Sequence, residues 1–242
     1  MGKAMSRRSQ STSQQGFTLI EVLIALVVFS SVISLVVIGL EQARSQWERS
    51  HNRAEFSKSL SQRHQWLNQM FEQANGAPFQ VEFGTTAPLF YGNEIAMRFI
   101  SDAPIIGGPG AYATVELELV QQKASNQYQL VFRQWPNRDP FLGIPISAQP
   151  KDILVVLEGL EAAQFEYFLP PRTEATPMEI RYQNFKTRPE GYWDEKYEAN
   201  FEQRIPPQIR FSFSLNNKKY QWVFNLPDRS LAGGQLEDFF VQ

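Results

Sequence analysis

An uncharged run of 19 residues, Val22 to Leu40, constrains this chain more than any other feature. As a helix rising ~1.5 Å per residue it spans roughly 28 Å, close to the ~30 Å hydrocarbon core of a bilayer, so it is predicted to cross a membrane once. Residues 1–16 before it are polar and small, and they carry Lys3, Arg7 and Arg8 with no acid. A secretory signal peptide would have a shorter apolar stretch of ~7–15 residues and an A-x-A-like cleavage site. Leu40 is followed instead by Glu41-Gln42-Ala43-Arg44. Lys3, Arg7 and Arg8 on one side are matched by Arg44, Arg49 and Arg53 on the other, so the basic flanks alone do not orient the span.

The junction between the basic leader and the apolar run reads Gly16-Phe17-Thr18-Leu19-Ile20-Glu21. With the leader before it and the uninterrupted span after it, this hexapeptide resembles the type IV prepilins and the pseudopilins of type II secretion. The resemblance implies cleavage after Gly16 by a prepilin peptidase and methyltransferase on the cytoplasmic side, N-methylation of the new terminal Phe17, and an assembly role for Glu21. It also implies a single-pass inner-membrane protein, N-terminus inside, with the C-terminal domain in the periplasm. Physical chemistry gives the same residues a rationale. A carboxylate near the bilayer centre costs ~2.5–3.5 kcal/mol and needs a partner. Phe17 and Glu21 stand at i and i+4, and the freed amine, with a pKa of ~7.7–8.0, would answer the acid of its own chain or of a neighbour. The alternative is that Glu21 only favours a helix N-terminus, worth ~0.3–1 kcal/mol.

The 242-residue chain as a whole has the composition of a folded protein. Hydrophobic residues make up 43%, charged residues 20%, and there are 19 Phe, 8 Tyr and 5 Trp, which excludes a disordered or collagen-like chain. Glu41 to Asn75 is predicted to be helical: Phe56, Leu60, Leu67 and Phe71 recur on one face, with Trp66 and Met70 beside them, and Asn75-Gly76 before Pro78 is a stop signal. No proline interrupts a helix from Phe17 to about Asn75, unlike many type IV pilins, and Gly39 is its one soft point. From Phe79 the period is two. Strands are predicted at Glu94–Ile100, Tyr112–Val120, Gln127–Arg133, Ile153–Glu158, Gln164–Leu169, Gln208–Leu215 and Tyr220–Asn225. Asn216-Asn217 joins the last two as a tight hairpin, and Lys123 to Asn126 joins the second and third. The expected fold is α+β: a long N-terminal helix packed on a mostly antiparallel β domain. Its parts are a leader, 1–16; a membrane and assembly half of the helix, 17–40; an amphipathic half, 41–75; and a β-rich globular domain, 76–242.

Within the pilin-like proteins the β-rich part resembles the J-type minor pseudopilins. The likeness runs through Leu130 to Pro136, Leu157 to Glu161, Phe165 to Tyr167, Trp193 and Pro206 to Phe211, about half of the globular region. It implies a subunit that joins a periplasmic pseudopilus near its tip and associates with I-type and K-type minor subunits. Where the J-type pattern has a tryptophan-bearing stretch, this chain has Ile105-Ile106-Gly107-Gly108-Pro109-Gly110, which keeps a minor type IV pilin or a competence pseudopilin as alternatives.

Catalytic signatures are scarce. With 23 Lys+Arg against 25 Asp+Glu there is no basic stripe for a phosphate backbone, and no nucleic-acid partner is expected. Zero cysteines exclude disulfides, thiolate zinc sites and cysteine nucleophiles. His51 and His64 are too far apart for an i, i+4 metal pair and are expected to be solvated helix positions. Asp194, Glu195, Glu198 and Glu202 match no EF-hand spacing. No metal, cofactor or catalytic residue is expected, so the chain is read as a structural subunit; the rival is an enzyme or receptor domain on a pilin-like anchor. One stretch stands out, Leu169 to Gln208, rich in proline and carrying Phe185, Tyr192, Trp193, Tyr197 and Phe201. Loops longer than ~12–15 residues usually act or are disordered. Its rings either cover an edge of the sheet or bind a partner, and the candidate partner-binding residues are Phe56, Leu60, Tyr192 and Trp193.

Overall fold

The computed structural model describes residues 18–82, 85–123, 125–136, 150–175, 177–182 and 187–227. They follow the order α1 (Leu19–Glu72), β1 (Pro78–Glu82), β2 (Thr85–Pro88), β3 (Phe90–Gly92), β4 (Ala96–Ser101), β5 (Ala113–Gln121), β6 (Tyr128–Pro136), β7 (Asp152–Leu169), α2 (Pro177–Tyr182), β8 (Tyr192–Asp194), β9 (Tyr197–Glu198), α3 (Ala199–Glu202), β10 (Gln208–Leu215) and β11 (Lys218–Asn225). A long apolar helix followed by an antiparallel sheet makes the chain α+β. It divides into two units, Met1–Lys58 and Ser59–Gln242.

In the first unit α1 is regular through Gly39 and has no buried residue over its apolar run. The hydroxyls of Ser30, Ser31 and Ser34 donate to the carbonyl oxygens of Leu26, Val27 and Ser30 at 2.8, 2.8 and 2.9 Å, so their polar atoms are satisfied within the helix. The helix ends at Glu72, within a few residues of Asn75 as expected, where Ala74 forms a bridge with Ser101 and the Asn75 amide donates to the Ile100 carbonyl at 2.8 Å.

In the second unit the last turns of α1 bury Leu60, Leu67, Met70 and Phe71. Phe71 stacks on Phe99 and packs on Phe224, with centroids 5.4 and 4.8 Å apart. Ser101 Oγ donates to the Met70 carbonyl at 2.9 Å, tying helix to sheet. A fully buried ring of this kind contributes about 1.5–3 kcal/mol. His64 departs from the expected solvated position: it lies 5.0 Å from the Trp222 ring and 5.3 Å from the Phe224 ring, because β11 crosses the helix face that carries it.

The main sheet has the strand order β11-β10-β7-β6-β5-β4-β3-β9, with β8 also paired to β7. The β10–β11 hairpin forms with its turn at Asn216-Asn217 as expected, placing Phe211 opposite Trp222 and Leu215 opposite Lys218. Its turn residues Asn216 and Asn217 both have positive φ, 52° and 57°, as a twisted two-residue turn requires. The β5–β6 hairpin also forms, pairing Gln121 with Tyr128.

The two strands expected at Ile153–Glu158 and Gln164–Leu169 are one, β7. Gly159, which reads as a break, adopts φ +73° and carries the strand through a bulge. This strand joins two ladders that scarcely overlap: β6 pairs with Asp152 to Leu160, and β10 with Leu160 to Tyr167. The β3–β4 turn docks on its second half, where the Phe165 amide donates to the Glu94 carbonyl at 2.8 Å and Tyr167 Oη donates to the Asn93 carbonyl at 2.9 Å.

Candidate functional site

The candidate residues fall in two places. Gly16 and Phe17 lie outside the described residues. At the start of the described helix Thr18 precedes the first turn, and the Glu21 amide donates to the Thr18 carbonyl at 3.0 Å and to its Oγ1 at 3.4 Å. Thr18 thus caps α1, and Glu21, the third residue of the helix, completes the Thr-x-x-Glu pattern typical of helix starts. The cap at Thr18 is not among the expected functional residues, although the Thr-x-x-Glu spacing marks it. Glu21 is exposed in the first turn, and the large apolar side chains that follow it, from Val22 to Leu40, are exposed as well. Nothing among the described residues covers this run, and an apolar surface of this length suits a bilayer or other helices.

The second place is the stretch between β7 and β10. Two of its segments extend the sheet. Tyr192, Trp193 and Asp194 pair with Leu169, Phe168 and Tyr167, and Tyr197-Glu198 pairs with Gly92 and Tyr91 of β3. The base of the stretch is closed by reciprocal backbone hydrogen bonds between Arg172 and Arg188, at 2.6 and 2.8 Å. Glu202 receives the Arg188 guanidinium at 2.6 Å and lies 3.6 Å from that of Arg172, with both Arg188 and Glu202 side chains largely buried.

Tyr197 and Tyr167 are buried, and burial pushes both phenols well above their ordinary range. Tyr197 Oη donates to the Arg204 carbonyl at 3.0 Å, and its ring stands edge-on to Phe90. Trp193 is half-buried, held between the Phe168 ring and the Arg210 guanidinium, which lies 3.9 Å from the indole centroid. Arg210 in turn pairs with Glu166 at 3.2 Å. Of the four residues given to a partner, Leu60 is taken up by the chain's own core, 8% exposed. Phe56 and Trp193 are half-buried, and Tyr192 alone stands 48% exposed. Phe185 lies outside the described residues; among the described rings of this stretch Trp193, Tyr197 and Phe201 act first as cover for the sheet edge, while Tyr182 and Tyr192, 54% and 48% exposed, leave much of their surface outward.

The acids of the same stretch are dispersed rather than gathered. Glu198 pairs with Lys196 at 2.6 Å, Asp194 accepts the Lys196 amide at 3.1 Å, and Glu202 is held by the arginines. Among the described residues no group of three or more histidine, aspartate and glutamate side chains is placed to hold a metal ion. A shallow cavity of about 410 Å³ opens on the β7–β10–β11 face, lined by Ala162, Gln164, Ser212, Ser214, Lys219 and Gln221, with neither carboxylate nor histidine among its walls.

Comparison with known proteins locates the informative part of the chain. Residues 11–37 match the prokaryotic N-terminal methylation motif. No curated protein matches the sequence. The matched segment runs from the leader across Gly16, Phe17 and Glu21 into the exposed apolar helix, and that helix is long and apolar enough to cross a membrane.

Proposed function

We propose that this chain is a pilin-like assembly subunit, made as a prepilin, cut between Gly16 and Phe17, methylated on Phe17, and built into a periplasmic filament through its N-terminal helix. The observation that carries the reading is the coincidence of the methylation motif with a helix whose apolar surface the described residues leave uncovered. A methylated N-terminus in front of such a helix suits a protein that waits in the membrane and then exchanges lipid for other helices. Prepilin peptidase and fellow pilin-like subunits are the partners this reading requires. In the finer form we favour, the chain is a J-type minor pseudopilin of type II secretion, lying near the pseudopilus tip and contacting I-type and K-type subunits. The likenesses in Leu130 to Pro136 and Pro206 to Phe211 support that form. The Ile105 to Gly110 segment, which departs from it, favours a minor pilin of a type IV or competence system. In either form the protein is structural and orients with its N-terminus inside and the β domain in the periplasm.

Processing tests the reading directly. The membrane-extracted protein is expected to have the intact mass of a chain beginning at Phe17 with one added methyl group. Gly16→Ala should retain the leader. A wild-type chain that keeps residues 1–16 in cells with an active prepilin peptidase would overturn it.

A further inference from the structure

We propose that Trp47 anchors the helix in the headgroup layer on the C-terminal side of the span, and that it thereby holds Glu21 in the opposite headgroup layer until assembly. The inference rests on the reading of α1 as a membrane span. Trp47 is 75% exposed, the most exposed of the tryptophans whose side chains are described. Its neighbours one turn away, Ala43, Arg44, Ser50 and His51, offer no large apolar surface to cover an indole. An indole is apolar over its faces and carries one N–H donor, which suits the boundary between hydrocarbon and water better than either phase.

Helix length places the ring at that boundary. From Glu21 to Trp47 there are 26 steps (47 minus 21), a rise of about 39 Å, against a bilayer of ~40–45 Å with its headgroups. With the indole in one headgroup layer, the carboxylate of Glu21 falls in the other. The uncharged run between them fills the hydrocarbon, where Ser30, Ser31 and Ser34 keep their hydroxyls bonded to the helix itself. Glu41 limits how deep Trp47 can be drawn. The six steps from Glu41 to Trp47 rise about 9 Å along the axis, and less along the membrane normal of a tilted helix, a little more than the ~5–7.5 Å of one headgroup layer.

The charges beside Trp47 fit the same layer. Arg44 lies one turn before it and pairs with Glu48 at 3.1 Å, both side chains being well exposed, and Arg49 and Arg53 follow. These guanidinium groups are in reach of lipid phosphates. The occupant of this helix surface is therefore the phospholipid headgroup layer. Glu21 meets a dry environment only when the subunit leaves the bilayer for a filament, so its dehydration belongs to the assembly step and not to the membrane-inserted state.

The test uses the full chain reconstituted in phosphatidylethanolamine–phosphatidylglycerol vesicles whose acyl chains carry bromine either close to the headgroup or close to the chain end. The difference in emission between wild type and Trp47→Phe isolates the one indole. Bromine near the headgroup is expected to quench that difference at least about twofold more strongly than bromine near the chain end. Equal emission in brominated and plain lipid, or stronger quenching from the chain ends, would overturn the anchor while a chain that resists alkaline carbonate extraction keeps the span. A chain that carbonate removes from the vesicles would overturn both.

Discussion

At Gly92 a Cβ would lie 2.3 Å from Cζ of Tyr167, closer than any side chain tolerates. Tyr167 cannot retreat, because its ring is buried against Phe90 and its hydroxyl is bonded to the turn that follows Gly92. Gly92→Ala is therefore expected to destabilise the β domain by about 1–3 kcal/mol, the usual cost of overpacking. Tyr167→Phe removes only the hydroxyl and should cost about 0.5–1.5 kcal/mol. Urea unfolding followed by tryptophan emission measures both, and an unchanged midpoint for Gly92→Ala would mean the ring has room that this geometry denies it. A second residue ties stability to pH. Burial between Trp222 and Phe224 holds His64 below its ordinary pKa of 6.5. The unfolded chain then binds the proton more readily than the folded one, so His64's contribution is complete above about pH 6.5 and declines as pH falls through the window between that value and the lowered folded pKa. His64→Phe keeps a ring in the cluster and should unfold with less dependence on pH in that window. A substitution that left the pH profile unchanged would show that the imidazole titrates alike in both states.

Among the elements, β10 and β11 illustrate what a sequence states openly. Phe211, Phe213 and Leu215 alternate with Ser212 and Ser214, and the two asparagines sit where positive φ is needed, so register and turn are local properties. Replacing Asn217, φ 57°, by Gly should stabilise the hairpin by some tenths of a kcal/mol, whereas Val there should cost about 1–2 kcal/mol. Thermal midpoints of the two variants that moved in the reverse order would rule out the left-handed turn. Strand β7 was legible in composition but not in continuity, because a glycine after Glu158 signals a break as readily as a bulge, and only the two neighbouring ladders decide between them. The short β8 and β9 were hidden for a related reason: strands of two or three residues have no period of their own and exist because β7 and β3 offer them an edge. The motif around Gly16, Phe17 and Glu21 could be read directly, since contiguous residues carry it. The fate of Leu60 and Trp193 could not, since burial depends on which distant strand arrives above them.

On the scale of the whole molecule, the proposed function divides the chain's tasks between its ends. Glu21→Gln removes the charge that would meet a neighbour's terminal amine but leaves Gly16 and Phe17 in place. Under the assembly reading the variant should be cut and methylated like wild type and recovered in the filament fraction at a small part of the wild-type level. Crosslinking to fellow subunits scores this, and wild-type incorporation would reduce Glu21 to the helix-start role that Thr18 and its cap already describe. The packing of the second unit carries a different implication, one of timing. Phe71 on α1 is closed over by Phe224 on β11, so residues of the helix wait for a strand made much later in synthesis. Until β11 emerges, Phe71 lacks the cover of Phe224, and pairings so distant in sequence form slowly. The β domain therefore matures only after β11 has been delivered, and a nascent subunit halted before β11 is a sticky, protease-sensitive species rather than a smaller folded one.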